Sequence, residues 1–207
     1  MKNMHLFALR DVLSTDFDKE KADSIRKKIS LFSCKRTEHI ERFAHNQMIT
    51  AESYGESRSF LFLEDDTDDL VGFFTTGLTV IDWPKQVEPS EWWQSLSKKR
   101  RNVFTKGVFS SNGIMPAFTI GEIARDDRYT NEDLPGETIL RHALAKILEA
   151  QRYAAGRLIL VDTRRKLFDR LYREAGFEVF GTRPSPNGEG DEEFVIALLS
   201  LKNMTIR

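Results

Sequence analysis

An internal disulfide is excluded by arithmetic, because Cys34 is the only cysteine in the sequence. A reducing compartment fits that composition. Metal-ligand spacing is missing as well. The histidines, His5, His39, His45 and His142, are scattered. His39 and His45 lack the i, i+4 spacing that puts two ligands on one helix face, so no structural zinc or other protein-bound metal is expected. No run approaches the ~20 apolar residues a membrane-spanning helix needs. The opening "MKNMHLFALRDVLSTDF" has no long apolar core before it turns acidic. Neither a signal peptide nor a membrane association is expected, and the cytoplasm is the expected location. Charge of one sign is not in excess: 31 Lys and Arg stand against 32 Asp and Glu, a formal net charge of -1. That balance argues neither for nor against nucleic acid. Internal repeats and low-complexity tracts are absent too.

What the chain does have is core material. Of its 207 residues, 40% are hydrophobic, including fifteen Phe and three Trp. This suits a single domain over 1–207 with one elaboration. "HLFALRDV" reads as a short first strand. In "STDFDKEKADSIRKKISLF", Thr15 or Asp16 can cap a helix whose face carries Phe17, Ala22, Ile25 and Ile29. "KRTEHIERFAHNQMITAESYG" repeats the pattern as a second helix, with Thr37 as candidate cap and Gly55 as stop. The period then changes. "RSFLFLEDDTDDLVGFFTTGLTVIDW" is two β-rich runs around an acidic turn, a hairpin signature. That turn lacks the calcium-loop ligand spacing and reads as solvated.

Residues 84–116 break the rhythm with prolines at both ends, a Trp92–Trp93 pair and the basic run Lys98 to Arg101. They read as an insertion or long connection with a helix in its middle. Such connections are often functional. The Trp pair and basic run either contact an acidic partner or pack the insertion down with the charges facing water. From Ala117 the order is regular. Strand "AFTIGEIA" precedes helix "ETILRHALAKILEAQRYAA", whose stripe is Ile139, Leu140, Ala143, Leu144, Ile147 and Leu148. "RLILVDT" is a continuous apolar run, as expected for a strand covered on both faces. Helix "RRKLFDRLYREAG" has a stripe of Leu167, Phe168, Leu171, Tyr172 and Ala175. Strands "FEVFG" and "EEFVIALLSL" flank the polar turn "TRPSPNGEGD". The order predicts an α/β fold with a mixed sheet, a right-handed β-α-β crossover and helices on both faces.

This order and these words resemble the GNAT superfamily of acyl-CoA-dependent N-acetyltransferases, most densely from Phe118 to Gly181. "EIARDDRY" looks like the family's fourth strand and the turn after it, "LPGETIL" like the start of its cofactor helix, and "RLILVDT" like its fifth strand. "FDRLYREAGFEVFG" looks like the aromatic-bearing helix and the Gly-Phe step into the sixth strand. The resemblance implies a mostly antiparallel mixed sheet with a splayed parallel strand pair, and acetyl-CoA as co-substrate. It implies direct attack of an amine on the thioester. The pantetheine arm would meet the backbone of Ile123, Ala124 and Arg125. The pyrophosphate would lie on the loop and helix start formed by Arg128, Asn131, Asp133, Leu134, Pro135, Gly136, Glu137 and Thr138, where amides lack intrahelical partners and the helix dipole favours an anion. Tyr172 matches the family's tyrosine, which protonates the departing thiolate, and Glu122 is the candidate base. Apart from the resemblance, Tyr172 reads as a core aromatic and Glu122 as an outward strand carboxylate.

The loop "RYTNEDLPGE" departs from the family's alternating glycines. Pro135 removes an amide donor, and Glu132 and Asp133 carry the wrong charge for a phosphate. These acids can instead cap the helix, with Arg125, Arg128, Arg141, Arg164 and Arg165 as compensating cations. The acceptor is a small-molecule or protein amine. Alternatives are a catalytically inactive GNAT-fold binding module, and acetylation of tRNA-linked or protein amines, with Lys98–Arg101 and Trp92–Trp93 meeting RNA. Toxin–antitoxin membership is compatible with such a chain. A homodimer contact through the 84–116 segment or the terminal strands is also compatible.

Overall fold

The computed structural model describes residues 3–105, 112–185 and 193–203. Two compact units make it up, Met1–Gly77 with Ile120–Leu144, and Leu78–Thr119 with Ala145–Arg207.

In the first unit, strand β1 (Met4–Ala8) pairs antiparallel with β2 (Arg58–Glu64). β2 in turn pairs antiparallel with the first half of β3 (Leu70–Asp82), as the hairpin pattern predicts. The expected first strand ends early, because Leu9 and Val12 turn into a one-turn helix, α1 (Leu9–Val12). Their i, i+3 spacing lets both bury, at 0% and 1% exposure, where a strand would have put them on opposite faces. Helix α2 (Lys19–Ser30) buries Ala22, Ile25 and Ile29. Its cap is Asp18, whose carboxylate accepts the Lys21 N–H at 2.7 Å, rather than Thr15 or Asp16. The second expected helix divides at Gln47 into α3 (Glu38–Asn46) and α4 (Met48–Tyr54). Ile40, Ala44 and Met48 nevertheless all bury on one stripe through the break. Thr37 stands at the cap position of α3 without a capping side-chain bond. Gly55 closes α4 in the left-handed region, at φ 75°. Phe32, Leu61, Leu63, Leu70 and Phe73 complete this unit's core.

In the second unit, the 84–116 stretch carries short helices. These are α5 (Trp83–Gln86), α6 (Glu91–Ser95) and α7 (Lys98–Thr105), and then β4 (Ile114–Arg125) begins. β4 starts earlier than the expected Ala117 because Met115, wholly buried, already belongs to the core with Trp83, Trp93, Phe104 and Ala117. Trp83 and Trp93 meet edge to face at 5.1 Å. Helix α8 (Gly136–Ala154) runs from the first unit into the second and ends before Gly156, at φ 123°. Strand β5 (Leu158–Arg164) follows, then helix α9 (Arg165–Leu167), which runs into a π-helical turn, Phe168–Tyr172. Strands β6 (Glu178–Arg183) and β7 (Phe194–Ser200) complete the order. The polar turn expected over 182–191 lies largely outside the described residues.

The strands form one mixed seven-stranded sheet in the order β1-β2-β3-β4-β5-β7-β6. β5–β7 and β6–β7 are antiparallel. β4–β5 is the parallel pair that the β-α-β order predicts, and its ladder is limited to Phe118↔Ile159 and Thr119↔Leu160. No helix among the described residues is long and apolar enough to cross a membrane.

Candidate active site

The end of β4 and the loop after it are held by close packing. Gly72 on β3 lies so near them that a Cβ there would meet the Ala124 carbonyl oxygen at 2.6 Å and Leu134 Cδ2 at 2.7 Å. Three residues earlier on β4, the Thr75 hydroxyl enters beside Gly121, where a Cβ would lie 2.6 Å from Oγ1. That hydroxyl accepts the Glu122 N–H at 2.8 Å. The Glu122 carboxylate, about a quarter exposed, stands 3.5 Å from Nε2 of His39 on α3.

The turn after the strand is organised by Asp126, which is 0% exposed. Its carboxylate accepts the backbone N–H groups of Ser33 and Arg128 and, from both ends, the Arg128 guanidinium. Asp126 raises the Arg128 pKa, first by hydrogen bonding and then by charge, against an opposing desolvation. Asp127 also binds the loop before α3, accepting the Lys35 N–H at 2.7 Å. Arg125 reaches inward. Its guanidinium donates to the carbonyls of Tyr129 and Leu134 and to the Asn131 side chain. Arg125 and Arg128, two of the cations expected to offset the loop's acids, thus tie the loop to itself and to the strand end. Asp133 accepts both the N–H and the hydroxyl of Thr130 at 2.8 Å. It thereby caps a turn inside the loop, where Thr130 presents two donors before the helix begins.

At the start of α8 the Pro135 carbonyl accepts from the amides of Thr138 and Ile139, at 3.0 and 3.2 Å. The Leu134 amide bonds to the Thr130 carbonyl. This leaves Gly136 and Glu137 with backbone N–H groups that have no acceptor among the described residues, the donor chemistry an anion needs. Ala124 and Leu134 are buried, Ile123 and Thr138 half-buried, and Asn131 and Glu137 exposed. Arg141 is exposed, while Arg165 pairs with Glu193 at 2.8 Å.

In the second unit, Tyr172 lies on the π-helical turn, 2% exposed, its ring edge-on to Phe177 at 5.3 Å. The Arg173 N–H bonds to the Phe168 carbonyl and the Phe177 N–H to the Tyr172 carbonyl, both i to i+5. The extra residue per turn breaks the expected stripe. Leu167 is turned outward, at 37% exposure, while Phe168, Leu171 and Tyr172 stay inside. The tryptophans of the 84–116 segment are spent internally. Trp93 is buried, and half-buried Trp92 donates its indole N–H to Glu178 at 3.2 Å. Arg100 pairs with Glu178, and Arg101 lies over the Trp93 ring while donating to the Trp93 and Gln94 carbonyls. Trp93 is thus taken up in packing the segment, while half-buried Trp92 also keeps part of its surface. Of the basic run, Lys98 and Lys99 are exposed and without a partner among the described residues.

Sequence reasoning missed Asp126, Thr75 and the pairing of His39. The scattered histidines carry no pairing signal in the sequence, and among the described residues no group of three or more His, Cys, Asp or Glu could hold a metal. The Asp-x-Arg spacing of Asp126 and Arg128 was the available signal for the first.

No protein-family model matches the chain, and no curated protein matches it. Solved structures do. A tyrosine-to-phenylalanine variant of KacT aligns over 98% of this chain and 96% of its own, with TM-score 0.65 at 15% identity. A structure described as a bacterial toxin aligns over 95% and 92%, with TM-score 0.63 at 12% identity. AtaT complexed with acetyl-methionyl-tRNAfMet aligns over 93% and 94%, with TM-score 0.62 at 15% identity. The chain has the GNAT fold of these toxins. AtaTR bound with AcCoA shares it too, with TM-score 0.59 at 15% identity.

Proposed function

We propose that this chain is an acetyltransferase that moves the acetyl group of acetyl-CoA to the amine of an aminoacyl-tRNA. One observation carries the reading. The GNAT fold extends over nearly the whole chain in common with a toxin solved both with AcCoA and with acetyl-methionyl-tRNAfMet, a donor and an acetylated amine. Residues of the first unit fit the donor. The Gly136 and Glu137 amides at the start of α8 suit its pyrophosphate, and the backbone of Ile123, Ala124 and Arg125 suits its pantetheine amides. Asn131, Asp133, Leu134, Pro135 and Thr138 shape that loop, and Arg128 locks it through Asp126. Acetyl-CoA supplies an activated acetyl group. The amine, once neutral, attacks the thioester carbon, an N–C bond forms, and the C–S pair leaves on sulfur. Glu122 takes a proton from the ammonium, and Tyr172 donates its phenolic proton to the thiolate. The π-helical turn under Tyr172 supports a functional role, since such turns are frequent at functional sites.

Lys98 and Lys99 are the cations available to RNA phosphates, and a cytoplasmic location and an antitoxin partner belong to the same reading. Self-association through the 84–116 segment or the terminal strands is the homodimer it allows. A second reading, an inactive binding module, is favoured by one observation: Arg125 and Arg128 are engaged inside the loop. Calorimetry with acetyl-CoA, followed by labelled acetyl transfer to bulk aminoacylated tRNA, tests the proposal. Binding with transfer is expected. Binding without transfer to tRNA or to any other amine selects the module, and no binding at high micromolar concentration overturns both the donor and the enzyme.

A further inference from the structure

We propose that His39 is a positioning residue for Glu122, holding its carboxylate as the proton acceptor for the incoming amine. The inference rests on the acetyltransferase reading above. Its structural part stands on the first unit alone.

The backbone of Glu122 is fixed by an unusual exchange. Gly121 has no side chain, so the Thr75 hydroxyl sits against it and takes the Glu122 N–H at 2.8 Å. Thr75 is itself only 3% exposed, so this anchor is shielded from competing water. The carboxylate has a separate neighbour, Nε2 of His39, at an ion-pair distance of 3.5 Å. Both side chains are partly exposed, 31% for His39 and 26% for Glu122. They can reach a substrate while losing much of the surrounding water that would weaken their interaction.

Other groups near α3 are engaged elsewhere. Glu41 accepts the Cys34 N–H at 2.8 Å, His45 bonds to the Phe32 carbonyl at 2.7 Å, and Arg36 lies 3.9 Å from Asp127. Glu38 and Arg42 are exposed with no partner among the described residues. Arg125, the cation nearest Glu122 along β4, is turned to the Tyr129 and Leu134 carbonyls. Glu122 is thus the acidic group that His39 meets.

The chemistry balances without another reactant. The ammonium of the acceptor gives one proton to a Glu122 oxygen. The neutral nitrogen attacks the thioester carbonyl, the N–C bond forms and the C–S pair departs on sulfur. The nitrogen then loses its second proton to solvent, sulfur takes the phenolic proton of Tyr172, and the phenolate is reprotonated from solvent. With Nε2 of His39 beside one carboxylate oxygen, the other oxygen is left to receive the ammonium proton, and Glu122 later returns that proton to solvent. His39 exchanges no proton with substrate, which makes it a positioning group.

The test has two arms. In the first, the ring ¹⁵N shifts of His39, which report tautomer and hydrogen bonding, are compared at one pH between the wild-type protein and Glu122→Gln. A clear change is expected, and an unchanged spectrum overturns the pair. In the second, His39→Ala and His39→Gln are assayed with acetyl-CoA and bulk aminoacylated tRNA. His39→Ala should lower kcat by about tenfold, with the KM for acetyl-CoA and Tm unchanged, and His39→Gln, which keeps a donor, should recover most of it. Equal losses in both variants, or a loss that follows Tm, overturn the positioning role. If wild-type protein binds no acetyl-CoA or acetylates no tRNA, the acetyltransferase reading fails and the positioning role fails with it. The spectral arm still decides whether the pair exists.

Discussion

Arg128 meets Asp126 side-on through one edge of its guanidinium, Nε to Oδ1 at 2.8 Å and Nη2 to Oδ2 at 3.1 Å. The carboxylate is wholly buried, whereas the Arg128 side chain is 48% exposed. The pair is therefore asymmetric. Water can replace the carboxylate around arginine but cannot replace the arginine around aspartate. Asp126→Ala should destabilise the protein by about 3 kcal/mol, since the part-buried Ser33 and Arg128 amides lose a charged acceptor. Arg128→Ala should cost less, about 1–2 kcal/mol, because those amides remain bonded to the carboxylate. Urea unfolding of both variants checks the order. Equal effects would show that water does reach Asp126.

Gly72 makes a second packing prediction. Its missing side chain admits the Ala124 carbonyl and Leu134, and a Cβ would clash with backbone as well as with a movable methyl. Gly72→Ala should therefore destabilise by about 1–3 kcal/mol. It should also weaken acetyl-CoA binding, because Leu134 precedes the free amides of α8. A thermal melt and a calorimetric titration read the two effects. Full stability with full affinity would mean that the loop shifts freely.

Periodic elements were the legible part of this chain. The stripe of α8, the hairpin of β2 and β3, and the apolar run of β5 each repeat a local pattern that burial then selects. The parallel β4–β5 pair followed from element order. What escaped depends on contacts distant in sequence. Asp126 binds Ser33, and Glu122 meets Thr75 and His39, and no spacing within one segment encodes such meetings. The π-helical turn at Phe168–Tyr172 was also hidden, because Phe168, Leu171 and Tyr172 fit the inner face of a regular helix as well, and only the outward Leu167 departs from its stripe. The acids of the cofactor loop were legible in type but not in use, since Asp133 spends its charge on Thr130.

The 84–116 segment separates packing from charge. Trp93, with Trp83 and Phe104 around it, is core, so Trp93→Ala should cost about 3–5 kcal/mol. Lys98 and Lys99 are exposed, with no hydrogen bond or ion pair among the described residues, so changing both to Gln should move stability by no more than about 0.5 kcal/mol. If these lysines meet RNA phosphates, the same double variant should weaken binding to bulk tRNA. It should also reduce the slope of log affinity against log salt by up to about 2, roughly one for each lost contact. An unaltered slope would remove this face from any RNA interface.

Tyr172 offers the sharpest division between a core aromatic and a proton donor, because one atom distinguishes them. Tyr172→Phe keeps the ring and its edge-on contact with Phe177, so the packing that buries the residue is retained. Were the ring its only contribution, acetyl transfer would persist. As the thiolate's proton donor, its loss should lower kcat by about 10²–10⁴-fold, while acetyl-CoA affinity stays near that of the wild-type protein. The two quantities should be measured together, by single-turnover transfer and by calorimetry. A fall in both would point to displacement of the π-helical turn, and a fall in kcat alone to the missing hydroxyl. Retained kcat would return Tyr172 to the core and leave solvent to protonate the thiolate.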